Sequence, residues 1–100
     1  MPLGYVSKQV AEIESISVDF GNRLASGEAI ASVQVKAFEG SINVSTSIIV
    51  GAPGLAGTVV TVRVKNGTDG KRYDLQFLVT ATSGNIYEED VILVVREETA

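Results

Sequence analysis

The residues that could do chemistry in this chain are almost all carboxylates. Glu88, Glu89 and Asp90 run together, and Asp69 and Asp74 lie a short way upstream. Gathered in space, such acids are the oxygen donors a calcium ion takes, and two of them facing across a cleft are the machinery of glycoside hydrolysis. Neither pattern is complete. No D-x-D-x-D loop frames the acids, three consecutive residues of a strand point to alternate faces, and no aromatic platform accompanies them. Asp19-Phe20-Gly21 spells the metal-binding triplet of protein kinases, yet the chain has no histidine and therefore no His-Arg-Asp partner for it. GAPGLAG, residues 51–57, spaces its glycines by three but lacks the Lys-Ser/Thr that completes a phosphate loop. With cysteine also absent, thiolate nucleophiles, imidazole bases, disulfides and the common zinc and iron sites are all excluded. The expectation is a protein that is not an enzyme and holds no cofactor, metal or small-molecule substrate.

Charge narrows the partners in the same way. A net charge of −4 repels phosphate backbones, and the basic residues are scattered, so nucleic acid is not an expected ligand. MPLGYVSKQVAEIES, at the start, has no basic segment followed by an apolar run and a small-residue cleavage site, and no stretch reaches the length of a membrane span. Asn43-Val44-Ser45 and Asn66-Gly67-Thr68 match the glycosylation triplet, which matters only on a secretory route, and both are set aside. The chain is expected to be made in a cytoplasm, with no membrane partner.

The elements that must position these groups read as strands. Fifteen Val and eight Ile against six Leu favour a pleated surface over a helix, because β-branched side chains are stiff at χ1. Residues 1–12 carry no sustained period and are read as an N-terminal arm, with 13–100 as one domain. Ile16, Val18 and Phe20 alternate with Ser15, Ser17 and Asp19 in a first strand. A helical turn is expected over Arg23–Gly27, with Leu24 dipping into the core. Next, Ala29, Ala31, Val33, Val35 and Ala37 face one way in a second strand, and Ile42 to Val50 alternate in a third. GAPGLAG is expected to be a connection crossing between sheets, since Pro53 lacks a donor. Val60, Val62 and Val64 form one face of a fourth strand. Tyr73, Leu75, Phe77, Val79 and Ala81 form the longest apolar face in the chain, and a turn at Ser83-Gly84-Asn85 leads into a last strand from Ile86 to Val95.

Short strands at roughly ten-residue spacing point to an antiparallel sandwich of about seven strands with Greek-key connections. Tyr73 narrows this further. It starts the penultimate strand two residues before core-facing Leu75, where an immunoglobulin-type domain places a tyrosine whose hydroxyl bonds back to the preceding turn. The expected fold is an all-β, immunoglobulin-like sandwich.

FGNRLASGEAIAS, residues 20–32, together with GTDGKRYDLQFLVTATSGNIYEEDVILVV, residues 67–95, resembles a family of small phage virion proteins. The shared features are D-[FW]-x-x-x-L-x-x-G-E-x-I-A-S, then G-T-x-G-x-x-Y, a T-x-x-G hairpin turn and an acidic, then apolar, last strand. Members are described as fibre-tail adaptor or neck and tail structural proteins with an immunoglobulin-like fold. The resemblance implies that Leu24 plugs the end of the sandwich, Gly27-Glu28 turns the chain and Ile30-Ala31-Ser32 starts a strand. It also implies a virion location, other virion proteins as partners (tail, neck, fibre or capsid subunits) and assembly in many copies. An adaptor attaching fibres or other appendages is the favoured role. A capsid cement protein clamping neighbouring subunits is the alternative within that class, and an adhesion or carbohydrate-binding module the alternative outside it. The residues expected to meet a partner are Leu3, Tyr5, Val6 and Val10 of the arm, whose apolar side chains lack a core face of their own. Glu88, Glu89 and Asp90, expected to guard a free sheet edge, complete the set of residues expected to face a partner.

Overall fold

Strict alternation in the sequence becomes two stacked sheets. The computed structural model describes residues 4–97, and its elements in chain order are β1 Gly4–Lys8, β2 Glu14–Asp19, β3 Ile30–Glu39, β4 Ile42–Asn43, α1 Ser45–Ile48, β5 Ile49–Ala56, β6 Val59–Val64, β7 Arg72–Ala81 and β8 Ile86–Val95. One sheet has the order β1-β8-β7-β3-β4 and the other β2-β6-β5. All pairings are antiparallel except that of β1 with β8. With β2, β6 and β5 taking the places of strands B, E and D, and β3, β7 and β8 those of C, F and G, this is the immunoglobulin-like arrangement.

The inner faces carry the core. Ile16, Val18 and Phe20 from β2 and its end, and Val60, Val62 and Val64 from β6, meet Tyr73, Leu75, Phe77 and Val79 of β7 and Val91, Leu93 and Val95 of β8. Each of these is nearly or fully buried, which at ~1.5–3 kcal/mol per side chain makes the sandwich interior the main source of stability. Tyr73 behaves as expected of a tyrosine corner: its hydroxyl oxygen accepts the Thr68 N–H at 2.9 Å. The turn above it depends on Gly67, at φ 93°, because a Cβ there would lie 2.6 Å from Val95 Cγ2 and 3.3 Å from the Tyr73 ring.

Four expectations need correcting. First, residues 4–8 of the proposed arm form an edge strand, running beside β8 with Gly4 opposite Val91 and Lys8 opposite Val95. Its alternation escapes notice because its two ends are Gly4 and Lys8, and it is Lys8, 3 % exposed, that occupies the inward end position. Second, a bulge separates Ile30, opposite Ala81, from Ser32, opposite Thr80. The inward face therefore shifts, so that Ile30 packs on the core while Ala31 is exposed.

Third, the strand expected over 42–50 is interrupted. Asn43 Oδ1 accepts from the Ser45 N–H at 2.9 Å and from the Ser45 hydroxyl at 2.6 Å, and the Ser45 Oγ takes the Ala37 N–H at 2.9 Å. Such local side-chain bonds compete with a ladder, and the chain makes one turn of helix, α1, that carries it from one sheet to the other. Fourth, GAPGLAG does not cross: residues 51–56 belong to β5, at the edge of the three-stranded sheet. Register slips between Val50, opposite Arg63, and Gly54, opposite Thr61, which puts Pro53 in an edge irregularity where a missing N–H is tolerated.

Candidate functional site

Two loops meet at one end of the sandwich, and Glu28 joins them. The β2–β3 connection folds back directly after Phe20, whose carbonyl accepts from Arg23 at 2.9 Å and from Leu24 at 3.2 Å. Gly27, at φ 84°, then turns the chain and delivers Glu28 to the β7–β8 hairpin. The Glu28 carboxylate accepts four donors: the Ala25 N–H at 2.6 Å, the Tyr87 hydroxyl at 2.9 Å, Asn85 Nδ2 at 3.2 Å and the Ser83 hydroxyl. These bonds, that from Ser83 foremost, hold its carboxyl below the usual range. Backbone closes the same seam, with the Thr82 N–H donating to Ala29 at 2.8 Å.

Arg23 fastens the loop to the sheet edge. Its guanidinium pairs with Glu89, donates to the Glu88 carbonyl at 3.2 Å and lies 5.5 Å from the centroid of the Tyr87 ring. β1 covers only Val91 to Val95 of β8, so Glu88, Glu89 and Asp90 lie on the half of β8 that β1 leaves unpaired. Arg23 shields part of that half from further strand addition.

Lys8 fastens the opposite end. Its ammonium donates to the carbonyls of Gln9 at 2.6 Å, Asn66 at 2.6 Å and Val10 at 3.1 Å. Burial lowers its proton affinity, against the pull of Glu12, Glu97 and Glu14. Around it, Glu97 accepts the Val10 N–H at 2.7 Å and Asp69 accepts the Glu97 N–H at 3.0 Å. Residues 8–10, 66–69 and 97 are thereby bound into one unit beside a groove lined by Glu12, Glu14 and Arg96.

The outer face of the five-stranded sheet is less settled. Register places Tyr5, Ile92, Asp74 and Phe38 in one row across β1, β8, β7 and β3, with Asp90, Gln76 and Lys36 in the next. One carboxylate oxygen of Asp74 and one of Asp90 are shut from water without a hydrogen-bond partner among the described residues. Desolvation first, and then the charge of Asp90, raises the Asp74 carboxyl. The Asp90 carboxyl is pushed up to about 6, by desolvation first and by Glu88 second.

The residues singled out from sequence fall into three groups. Val6 and Val10 pack against the chain's own core, while Tyr5 is 65 % exposed with the Arg72 guanidinium 6.0 Å from its ring centroid. Leu3 lies outside the described residues. Of the acids considered together as oxygen donors, only Asp74 and Asp90 with neighbouring Glu88 come together; Asp69 is at the far end on Glu97. Leu24 is half-buried and stands outside the core cluster. Sequence reasoning missed Arg23, Glu28 and Lys8 as clasps. The one signal available was the polar alternation Ser83, Asn85, Tyr87, which puts three donors on the same side of the hairpin.

With loops tied at both ends and a mixed polar and apolar face left open between them, the molecule is an immunoglobulin-like structural domain. The profile of a protein family, Podophage GP4 fiber-tail adaptor protein gp77, matches residues 8–94, and the chain belongs to that family. No curated protein matches it. Membership makes the chain a phage tail adaptor and a component of the virion, as the LASGE segment and the tyrosine-corner strand imply.

Proposed function

We propose that this protein attaches fibres or other appendages to the tail by protein–protein contact alone, in many copies and without catalysis. The observation that carries the reading is the family match, which starts at Lys8, the last residue of β1, takes in β2 to β7 and the Glu28 clasp, and ends at Val94 in β8. The architecture supports it: Glu28 and Lys8 rigidify the two ends, so that little ordering entropy is lost when a partner docks. Repetition around a symmetric tail multiplies contacts that are individually weak. Tyr5, Glu88 and Asp90 are the members of the expected partner-facing set whose groups remain available, since Val6 and Val10 face inward and Glu89 is held by Arg23.

The test is a cryo-electron reconstruction of the particle. Copies in a ring at the tail, touching fibre bases, are the expected result. Copies spread over the capsid lattice would replace the reading with a cement role, and absence from the particle would end it.

A further inference from the structure

A sheet edge is safe from other chains only where something blunts it, and the edges of this sandwich differ in that respect. β3, beyond the reach of β4, carries the bulge between Ile30 and Ser32 and then Lys36. β5 carries Pro53 and the register slip around it. On β8, the half that β1 leaves uncovered has its Glu88 carbonyl taken by Arg23, and β1 itself is short. β2 has none of these devices. It ends the three-stranded sheet and pairs with β6 in unbroken register from Glu14 to Asp19. It holds no proline, glycine or basic residue, and its charges, Glu14 and Asp19, stand only at its two ends.

The phase of the β2–β6 ladder defines what this edge offers. Phe20 donates its N–H to the Thr58 carbonyl at 2.9 Å, one step on from Asp19 opposite Val59, so Glu14, Ile16, Val18 and Phe20 turn their backbone groups toward β6. Ser15, Ser17 and Asp19 therefore turn theirs outward, where none of the described strands meets them. Their side chains lie on the outer face of the sheet. There Ser17 bonds Thr61 at 2.7 Å, and Arg63 stands opposite Ser15. Arg63 is exposed and outside the ion pairs of the described residues, which join Arg23 to Glu89 and Lys71 to Glu39. Asp19 is its counterpart in charge. It accepts from Thr58 at 2.7 Å and from Gly21 at 2.8 Å, both on Oδ1, so Oδ2 has no donor among the described residues. Those bonds, that from Thr58 first, hold the carboxyl below its usual range and keep it charged.

We propose that β2 pairs with β2 of a second copy of this chain, antiparallel about a two-fold axis at Ser17, joining two three-stranded sheets into one. In that register Ser17 faces the second copy's Ser17 and Ser15 faces the second copy's Asp19, and each facing pair exchanges both of its backbone bonds. Apolar residues stay on the inner face, since Ile16 comes opposite the second copy's Val18. The charges fit as well. Strands lie about 4.8 Å apart, so Arg63 and the second copy's Asp19 stand about 10 Å apart in one row, with only the small Ser15 between them. Their two side chains close that gap, and the two-fold axis makes the contact twice. No acid is set opposite another, because Glu14 comes opposite the second copy's Phe20. The proposal goes beyond the adaptor reading, since it concerns how copies meet and not what they attach.

The test follows the purified full-length chain by sedimentation equilibrium and amide exchange over a wide range of concentration. The wild type is expected to dimerise, and the amides of Ser15, Ser17 and Asp19 are expected to gain protection as it does. Arg63→Asp sets two acids in the same row and is expected to weaken the dimer roughly tenfold or more, each residue counting twice. Adding Asp19→Arg is expected to recover most of that loss, because the pair is then reversed and restored. Ser17→Pro removes a donor that serves no bond within the chain, so it is expected to fold, by urea unfolding, and to abolish the dimer. A chain that stays monomeric overturns the proposal and leaves the adaptor reading intact. A dimer that ignores both Arg63→Asp and a folded Ser17→Pro also overturns it, as does one whose protection rises along β3 instead. Should Ser17→Pro not fold, Arg63→Asp and the amide protection decide. Dimers in solution with no copies in the particle would support this contact and defeat the adaptor reading.

Discussion

Replacing Tyr73 by phenylalanine isolates the one hydrogen bond on which the tyrosine corner depends. The side chain is 3 % exposed, its ring packs in the core, and Phe fills the same space, so the hydrophobic contribution is retained. What goes is the acceptor for the Thr68 N–H, 2.9 Å from the hydroxyl. Net values for such bonds centre on about 1 kcal/mol, with a range of about 0.5–1.5. For a domain of this size that corresponds to a fall in melting temperature of about 4–8 °C, or roughly 0.5–1 M in urea midpoint with the slope unchanged. Amide exchange adds a local readout, because the Thr68 amide should lose protection while amides in the middle of β7 keep theirs relative to global stability. Tyr5→Phe is the control, its ring being mostly exposed, and it should leave the midpoint in place. If Tyr73→Phe leaves both the midpoint and the Thr68 amide unmoved, the hydroxyl is bonded to water in solution. The corner would then be a matter of ring packing alone.

Other perturbations separate the remaining forces. Gly67→Ala combines an unfavourable φ with a Cβ 2.6 Å from Val95 Cγ2 and should cost about 2–4 kcal/mol by urea unfolding; Gly27→Ala, whose Cβ meets open space, should cost only the backbone part, about 1–2 kcal/mol. Lys8→Met leaves the carbonyls of Gln9, Val10 and Asn66 without their shared donor and should cost about 1–3 kcal/mol, with faster amide exchange along β1. Stability should also fall as pH rises from about 4 through about 6, because the folded state binds the Asp90 proton more tightly than the unfolded chain does, its carboxyl moving from 3.8 to about 6. That lift is worth ~3 kcal/mol unscreened and about 1–2 once water at this half-buried site is allowed for; Asp90→Asn should flatten the fall in a urea series, and a wild type that gains stability over the same range would refute the assignment.

The sequence was most legible where one residue type repeats at one period. From Tyr73 to Ala81 every second side chain is apolar and every one of these is buried, so face, direction and burial followed together, and the hairpin glycine at 84 set the end. β1 was hidden because an inward position is filled by Lys8, whose amphipathic stem lets it lie buried while its ammonium finds three carbonyls. The strand expected over 42–50 failed for a different reason. Ile48 is buried in either geometry, so apolar spacing could not tell a strand from a helical turn, and the decision fell to the Asn43 and Ser45 side chains. The Glu28 clasp was the least legible feature, because its partners Ser83, Asn85 and Tyr87 are 55–59 residues away and only the folded topology brings the two loops together. Asp74 and Asp90 were visible as acids, but their desolvation arises only once β7 and β8 pair and set Asp74 opposite Ile92 and Asp90 opposite Gln76.

The parallel pairing of β1 with β8 has a mechanical consequence for a tail adaptor. Gly4 lies beside Val91 and Lys8 beside Val95, so a pull on the chain before Gly4 and a pull on the chain after Val95 act in opposite directions along two adjacent, parallel strands. Such a load is a shear: the five registered pairs of residues carry it together and must yield together, whereas a load across a strand end would open them one at a time. Arg96 adds to the same seam by donating to the Lys8 carbonyl at 2.9 Å, and Lys8 ties β1 to the turn at Asn66 through its ammonium. Forced unfolding measures the barrier to leaving the native state rather than its equilibrium stability, so the two can be told apart. With handles attached beyond the two strands, Val6→Pro, which removes one backbone donor from the seam and conflicts with its extended geometry, should lower the rupture force by more than Tyr73→Phe does. This comparison applies among variants matched for urea midpoint. Equal rupture forces in the matched pair would mean that the first barrier lies elsewhere in the sandwich and that β1 is not the strand that holds.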